Sequence, residues 1–96
     1  MQFLIIKKPR ANFIETMTEE EAEIMSEHFV YLQEKLREGK LIIAGPVTTG
    51  EFGLSVVETE SEEEALEIMN NDPAVISGIM TPTIYPYRVS LLRGRD

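Results

Sequence analysis

Glu38-Gly39-Lys40-Leu41-Ile42-Ile43-Ala44-Gly45-Pro46 carries the chain out of a helix, through a strand and into a turn, all within nine residues. Glycine is the residue that ends a helix most readily, because it enters the left-handed region without a Cβ penalty. The apolar run Leu41–Ala44 is too short for a helix and reads as a buried strand, closed by Gly45-Pro46. Working back from this stretch, Thr18-Glu19-Glu20-Glu21 is a capping box, with Met17 and Ala22 placed as a hydrophobic staple. It starts a helix that should run to about Glu38, with Met25, Phe29, Leu32 and Leu36 as its apolar stripe. Before it, Phe3-Leu4-Ile5-Ile6 reads as a first strand ended by Lys7-Lys8-Pro9, and Pro9 to Met17 reads as a loop.

Working forward, Thr48-Thr49-Gly50-Glu51-Phe52-Gly53 looks like a hairpin turn into a third strand, Leu54–Glu58. Ser61-Glu62-Glu63-Glu64 has the pattern of a second capping box and opens a helix through Ala65, Leu66, Ile68 and Met69. Asn70-Asn71-Asp72-Pro73 ends it. Asp72 is placed to cap a short helical turn that begins at Pro73, before Gly78. The last strand is expected from Thr83 to Leu92, and Pro86 within it forbids one ladder bond, which suggests an edge strand or a bulge. The order is βαββαβ. It predicts an α+β, ferredoxin-like domain over residues 1–96, with a four-stranded antiparallel sheet.

Right-handed crossovers put both helices on one face of such a sheet, so the other face should alternate apolar with polar. Here the first two strands are apolar at every position. Leu4 and Ile6 face opposite Phe3 and Ile5, and Ile42 should oppose Leu41 and Ile43. An uncovered apolar face usually marks an interface, and a second copy of the chain is the simplest cover. A homodimer through the sheet face is therefore expected.

Composition narrows the function. With 96 residues, 43% of them hydrophobic, the chain has the size and make-up of one globular domain. It has no cysteine and one histidine, which excludes disulfides, thiolate nucleophiles and the usual transition-metal sites, and no cofactor is expected. The net charge of −8 argues against nucleic acid. Glu19–Glu21 and Glu62–Glu64 each open a helix, where the dipole favours negative charge, and neither run carries a histidine that would suggest a metal. MQFLIIKKPR places apolar residues before basic ones, the reverse of a secretory leader, and no stretch approaches the roughly 20 apolar residues of a membrane span. A soluble, cytoplasmic protein is expected, with no membrane partner.

Few residues are left that could carry chemistry. His28, the single histidine, lies in the middle of the first helix, about 60° to one side of the apolar stripe. It reads either as a structural residue at the border of the core or as a general base with a titration range near neutrality. Asp72 is one of two aspartates among 17 acidic residues, the other being Asp96. Capping explains a short acid there, and a carboxylate keeps lone pairs for a second partner. The fold gathers Lys7, Gly45-Pro46 and Asp72-Pro73 at one edge of the sheet, with His28 about 15 Å along the helix that starts there. Tyr31, Tyr85 and Tyr87 read first as aromatics at the edge of the core, although Tyr31 stands near His28. Arg88 could hold an anionic substrate or simply be solvated. Gly45-Pro46, Gly50 and Gly53 lack the Lys-Ser/Thr of a phosphate loop, and no serine stands in a nucleophile elbow.

The first-helix histidine, the run Glu38–Pro46 and Asn71-Asp72-Pro73 followed by Gly78 together resemble the YciI-like (YCII-related) proteins, from the first strand to about Val89. The resemblance implies a dimeric α+β barrel in which two sheets pack face to face. It also implies a His–Asp pair in a pocket, carried here onto His28 and Asp72. Beside that pair, Tyr31, Gly45, Pro46 and Arg88 are the candidate substrate contacts in this sequence. Relatives with assigned activity include a dehydrochlorinase of a chlorinated hydroxyhydroquinone, and the wider superfamily includes muconolactone isomerase and small monooxygenases. This chain departs from the pattern at Ala74, where the family often has an aromatic, and in its short turn after Gly45-Pro46. Three functions are open at this point: a cofactor-independent lyase or isomerase, a binding module for a small acidic or aromatic metabolite, and a purely structural dimer.

Overall fold

The computed structural model describes residues 1–95. Its elements in order are β1 (Gln2–Lys8), α1 (Phe13–Thr16), α2 (Glu19–Arg37), β2 (Leu41–Pro46), β3 (Gly53–Glu58), α3 (Glu62–Asn70), α4 (Pro73–Ile76) and β4 (Thr81–Tyr87). The strands form one sheet in the order β2-β3-β1-β4, and every neighbouring pair is antiparallel. This is the ferredoxin-like arrangement expected from the order of elements. Pro86 lies on β4, an edge strand, where its missing N–H leaves no gap in a central ladder. Among the described residues no helix is long and apolar enough to cross a membrane.

The long helix has the boundaries its sequence signals set. The Thr18 hydroxyl accepts from the Glu21 amide, and the Glu21 carboxylate accepts from the Thr18 amide, which completes the capping box. At the other end, Gly39 adopts φ 78°, its amide donates to the Leu36 carbonyl, and the Lys40 amide donates to Lys35. That pair of bonds is a Schellman motif, and it turns the chain sharply into β2. The segment expected as a loop contains α1. Arg10 holds it against α2: the guanidinium grips both oxygens of Glu21 at 2.6 and 3.0 Å, reaches the Thr16 carbonyl, and lies over the Phe13 ring. The hydrogen bond from Arg10 lowers the Glu21 carboxyl to about 2.

Three expectations are corrected. The Ser61 hydroxyl caps α3 by accepting from Glu64, but the Glu64 carboxylate returns to the Glu60 amide rather than to Ser61. Its second oxygen is held by Lys40 at 3.0 Å, which draws the side chain away from a closed box. The last strand starts at Thr81 and ends at Tyr87 instead of running to Leu92, because its partner β1 begins at Gln2, which pairs with Tyr87. Beyond that point the Val89 amide bonds the Gln2 side chain instead of a ladder. In β2 a bulge lies between Leu41, opposite Val57, and Ile43, opposite Val56. One extra residue reverses the alternation, so Leu41 and Ile43 lie on opposite faces rather than together.

The core lies between the helices and one face of the sheet. Phe3, Ile5, Leu41 and Val57 pack there against Ala65, Ile68 and Met69 of α3, with Tyr31 and Leu32 of α2 beside them. Leu4, Ile6, Ile43, Leu54, Val56 and Tyr85 share the other face by register. Ile43 and Tyr85 are about half exposed there, at 54% and 50%. The doubly apolar sheet inferred from β1 is therefore present, and its second face has no helix over it.

The Schellman glycine provides a direct check. A Cβ at Gly39 meets nothing, so only the positive φ opposes a side chain. Gly39→Ala is expected to lower stability by about 1 kcal/mol, read as a lower urea midpoint at unchanged slope.

Candidate functional site

Lys7 ends the helix-facing series Phe3, Ile5, Lys7 on β1 and is 4% exposed, a charge where the two preceding positions bury hydrocarbon. Its ammonium is paired with the carboxylate of Asp72, which is completely buried. Asp72 caps α4, accepting from the Ala74 amide at 2.9 Å. His28, on the inward side of α2, reaches the same carboxylate from the third direction: Nδ1 lies 2.7 Å from Oδ1 and 2.8 Å from Oδ2. The cap proposed for Asp72 and its pairing with His28 thus coexist on one carboxylate, as its lone pairs allow.

Burial by itself would push the Asp72 carboxyl up. The hydrogen bond from His28, the charge and hydrogen bond of Lys7 and the Ala74 amide outweigh it and hold the carboxyl below its ordinary range. An ionised acceptor needs a donor on Nδ1, so the neutral imidazole carries its proton there and keeps the lone pair on Nε2. Nε2 has no partner among the described residues and is not sealed in the interior. It faces a cleft.

That cleft, of about 730 Å³, lies between α2 and the strands β2 and β3. Its walls are apolar, including Phe13, Met25, Phe29, Leu32, Leu36 and Phe52. The expected α2 stripe is thus a cleft wall rather than buried core, with Phe29 62% exposed. The opposing stretch Ala44-Gly45-Pro46 is too small to fill the space, and nothing lies within 4 Å of a Cβ built on Gly45. Segment α1 and the β2–β3 turn meet over one end: a Cβ on Gly50, at φ 81°, would stand 2.6 Å from Ile14 Cδ1. Lys7 and His28 are the only titratable side chains in the lining.

The sequence-derived candidates divide accordingly. His28 and Asp72 meet directly, and Gly45 and Pro46 line the cleft beside them. Tyr31 does not: its hydroxyl donates to the Ile68 carbonyl at 2.8 Å and ties α2 to α3, and burial raises it to about 12. Arg88 does not either. It is exposed and follows the end of β4, whereas the site lies at the Lys7–Pro82 end, about 17 Å along the sheet. Its sequence position marks Lys7 only as a residue at the sheet edge, yet it shares the central carboxylate. The available signal was its alternation with Phe3 and Ile5, which points it inward. Among the described residues no three His, Cys, Asp or Glu side chains gather as a metal site.

A ferredoxin-like sheet with a buried carboxylate orienting a lone histidine at a cleft defines a small α+β protein of the YciI-like kind. The chain belongs to the YCII-related domain family, whose profile matches residues 1–87. It is 36% identical over 62 residues to the uncharacterized protein YjpA of Bacillus subtilis (strain 168), an overlap covering 65% of this chain and 73% of YjpA. Its fold is shared with 5-chloro-2-hydroxyhydroquinone dehydrochlorinase (TftG) from Burkholderia phenoliruptrix AC1100, solved in complex with 2,5-dihydroxybenzoquinone. The TM-score is 0.71 over 92% of this chain and 94% of that one, at 22% identity, a likeness of fold.

The buried cluster makes stability depend on pH in a stated direction. A depressed carboxyl contributes stability that is present above its unfolded value near ~3.9 and lost as pH falls through its folded one. Asp72→Asn strands the Lys7 ammonium and is expected to cost about 3–5 kcal/mol at neutral pH. Urea unfolding from pH 7 to 3 should show the gap to the wild type narrowing once pH drops below about 4.

Proposed function

We propose that this protein is a cofactor-independent small-molecule enzyme of the lyase or isomerase type, in which His28 removes a proton from the substrate and Asp72 orients the imidazole. The observation that carries this reading is the 2.7 Å contact between His28 Nδ1 and a buried Asp72 carboxylate, with Nε2 left open to an apolar cleft. A base held in one tautomer by a carboxylate, with its free nitrogen facing a ligand-sized cavity, is the arrangement general-base catalysis needs. The cleft also bears on the substrate. Its one full positive charge, Lys7, is paired with Asp72, and its other polar side chains are Gln33, Ser55 and His28, so among the described residues the lining offers no free cation for a carboxylate or phosphate. The walls suit an uncharged cyclic or aromatic compound whose hydroxyl or ring C–H meets Nε2. That TftG, which shares the fold, is a dehydrochlorinase of a hydroxyhydroquinone is in keeping with this choice.

The same reading includes a homodimer. Leu4, Ile6, Ile43, Leu54, Val56 and Tyr85 form a continuous apolar face that a second copy would cover sheet to sheet, leaving the helix side free for the site.

Quinols and lactones, with hydroquinone as an uncharged probe, provide the test. At least one should raise the melting temperature of the wild type, and His28→Ala should reduce its turnover by 10²-fold or more, on the order of a lost general base. The fold should survive that change, because Asp72 keeps Lys7 and Ala74. A compound that co-purifies and is released unchanged would assign the protein to binding rather than catalysis. Sedimentation at micromolar concentration is expected to give a dimer, and Ile43→Lys with Tyr85→Lys a monomer.

A further inference from the structure

Catalysis by His28 needs more than a carboxylate beside it. A buried, uncompensated carboxylate favours a positive partner, and an imidazole next to it supplies that charge by taking a second proton, which removes the lone pair on Nε2. In this protein Asp72 already has a cation. Lys7 sits on β1 with its side chain 6% exposed, and its ammonium bonds the Oδ2 oxygen that His28 also approaches. From the aspartate's side, His28 is therefore needed as a neutral donor and not as a charge. We propose that Lys7 is a positioning residue for His28: by neutralising Asp72 it lets the carboxylate orient the imidazole without protonating it, so that Nε2 remains available as a base.

The surroundings leave few other groups that could play this part. From β1 the only charge facing His28 is Lys7, and from the start of α4 it is Asp72. On α2 itself, Tyr31 lies one turn on with its hydroxyl engaged by the Ile68 carbonyl, while Glu27, adjacent in sequence, and Lys35, paired with Glu38, stand outside the cleft lining. Strands β2 and β3 and segment α1 line the cleft with no charged side chain at all. Of the other basic residues, Arg10 is held by Glu21, Lys35 by Glu38 and Lys40 by Glu64, and none of them lines the cleft. Lys7 is thus the one cation placed to set the charge balance of the pair. A lysine buried for stability alone would be better replaced by an apolar residue together with its partner, since a buried ion pair is often no more stable than well-packed hydrocarbon. What a hydrocarbon pair could not do is hold His28 in one tautomer.

This inference rests on His28 acting as a base, but its test needs no substrate. His28 is the only histidine in the chain, so the two ring nitrogens can be followed by ¹⁵N NMR without ambiguity of assignment. In the wild type the neutral ring should carry its proton on Nδ1, with Nε2 unprotonated. In Lys7→Met the pH at which Nε2 gains its proton should rise by about one unit or more, the size expected when a neighbouring opposite charge is no longer offset. Lys7→Arg, which restores the cation, should bring it back. Should Lys7→Met fail to fold, Lys7→Gln keeps a hydrogen-bond donor, removes the charge and is expected to show the same rise. A folded Lys7→Met or Lys7→Gln that titrates at the wild-type pH would overturn the proposal, as would a neutral wild-type ring protonated on Nε2. Normal NMR behaviour with no turnover on any compound would instead count against catalysis and leave the role of Lys7 standing.

Discussion

The carboxylate of Asp72 is where the structure converges. It accepts from the cap amide of Ala74, from an ammonium on β1 and from an imidazole on α2, so one buried group joins three elements far apart in the chain. A charge buried without such partners would be strongly unfavourable, and the Lys7 ammonium supplies the opposite charge that offsets it. His28 on α2 thereby reaches the cap of α4, and the cleft lies beside this contact, between α2 and the strands β2 and β3.

The rest of the molecule accommodates this polar centre at the margin of its apolar core. The packed interior lies between α3 and the sheet, around Ile5, Val57 and Ala65, and Lys7 enters at its end where β1 leaves it. On α2 no residue is fully buried, and the apolar stripe from Met25 to Leu36 faces the cleft instead of close-packed neighbours. This helix is held by its two well-made ends, by Tyr31 against α3 and by His28 against α4. Ile43 and Leu54 belong to the second sheet face by register and also line the cleft, so the two apolar surfaces meet along β2 and β3.

Much of this was legible because it is encoded locally. Capping boxes, the Gly39 stop and the run Leu41–Ala44 act through neighbours in sequence, and they predict the element order and hence the sheet. Where prediction missed, a distant partner had decided the outcome. β4 stops where β1 offers no more backbone, Glu64 is turned from Ser61 by Lys40, and the bulge in β2 sends Ile43 to the face opposite Leu41. The chemistry-bearing residues followed the same division. The scarcity of histidine and aspartate singles out His28 and Asp72, whereas Tyr31, suggested by its place near His28, and Arg88, suggested by its charge, lie outside the cleft.

The ferredoxin-like order, the doubly apolar sheet and the candidacy of His28 and Asp72 are written in the chain itself. Those depend on short-range capping, on period-two alternation and on composition, all of which can be read along a chain. That His28 and Asp72 touch, that Lys7 shares the carboxylate and that His28 lines a cavity come from the packed fold. These facts depend on distances of a few ångströms between segments separated by 44 and 65 residues. Such distances are set by the packing of whole elements, and no local pattern carries them.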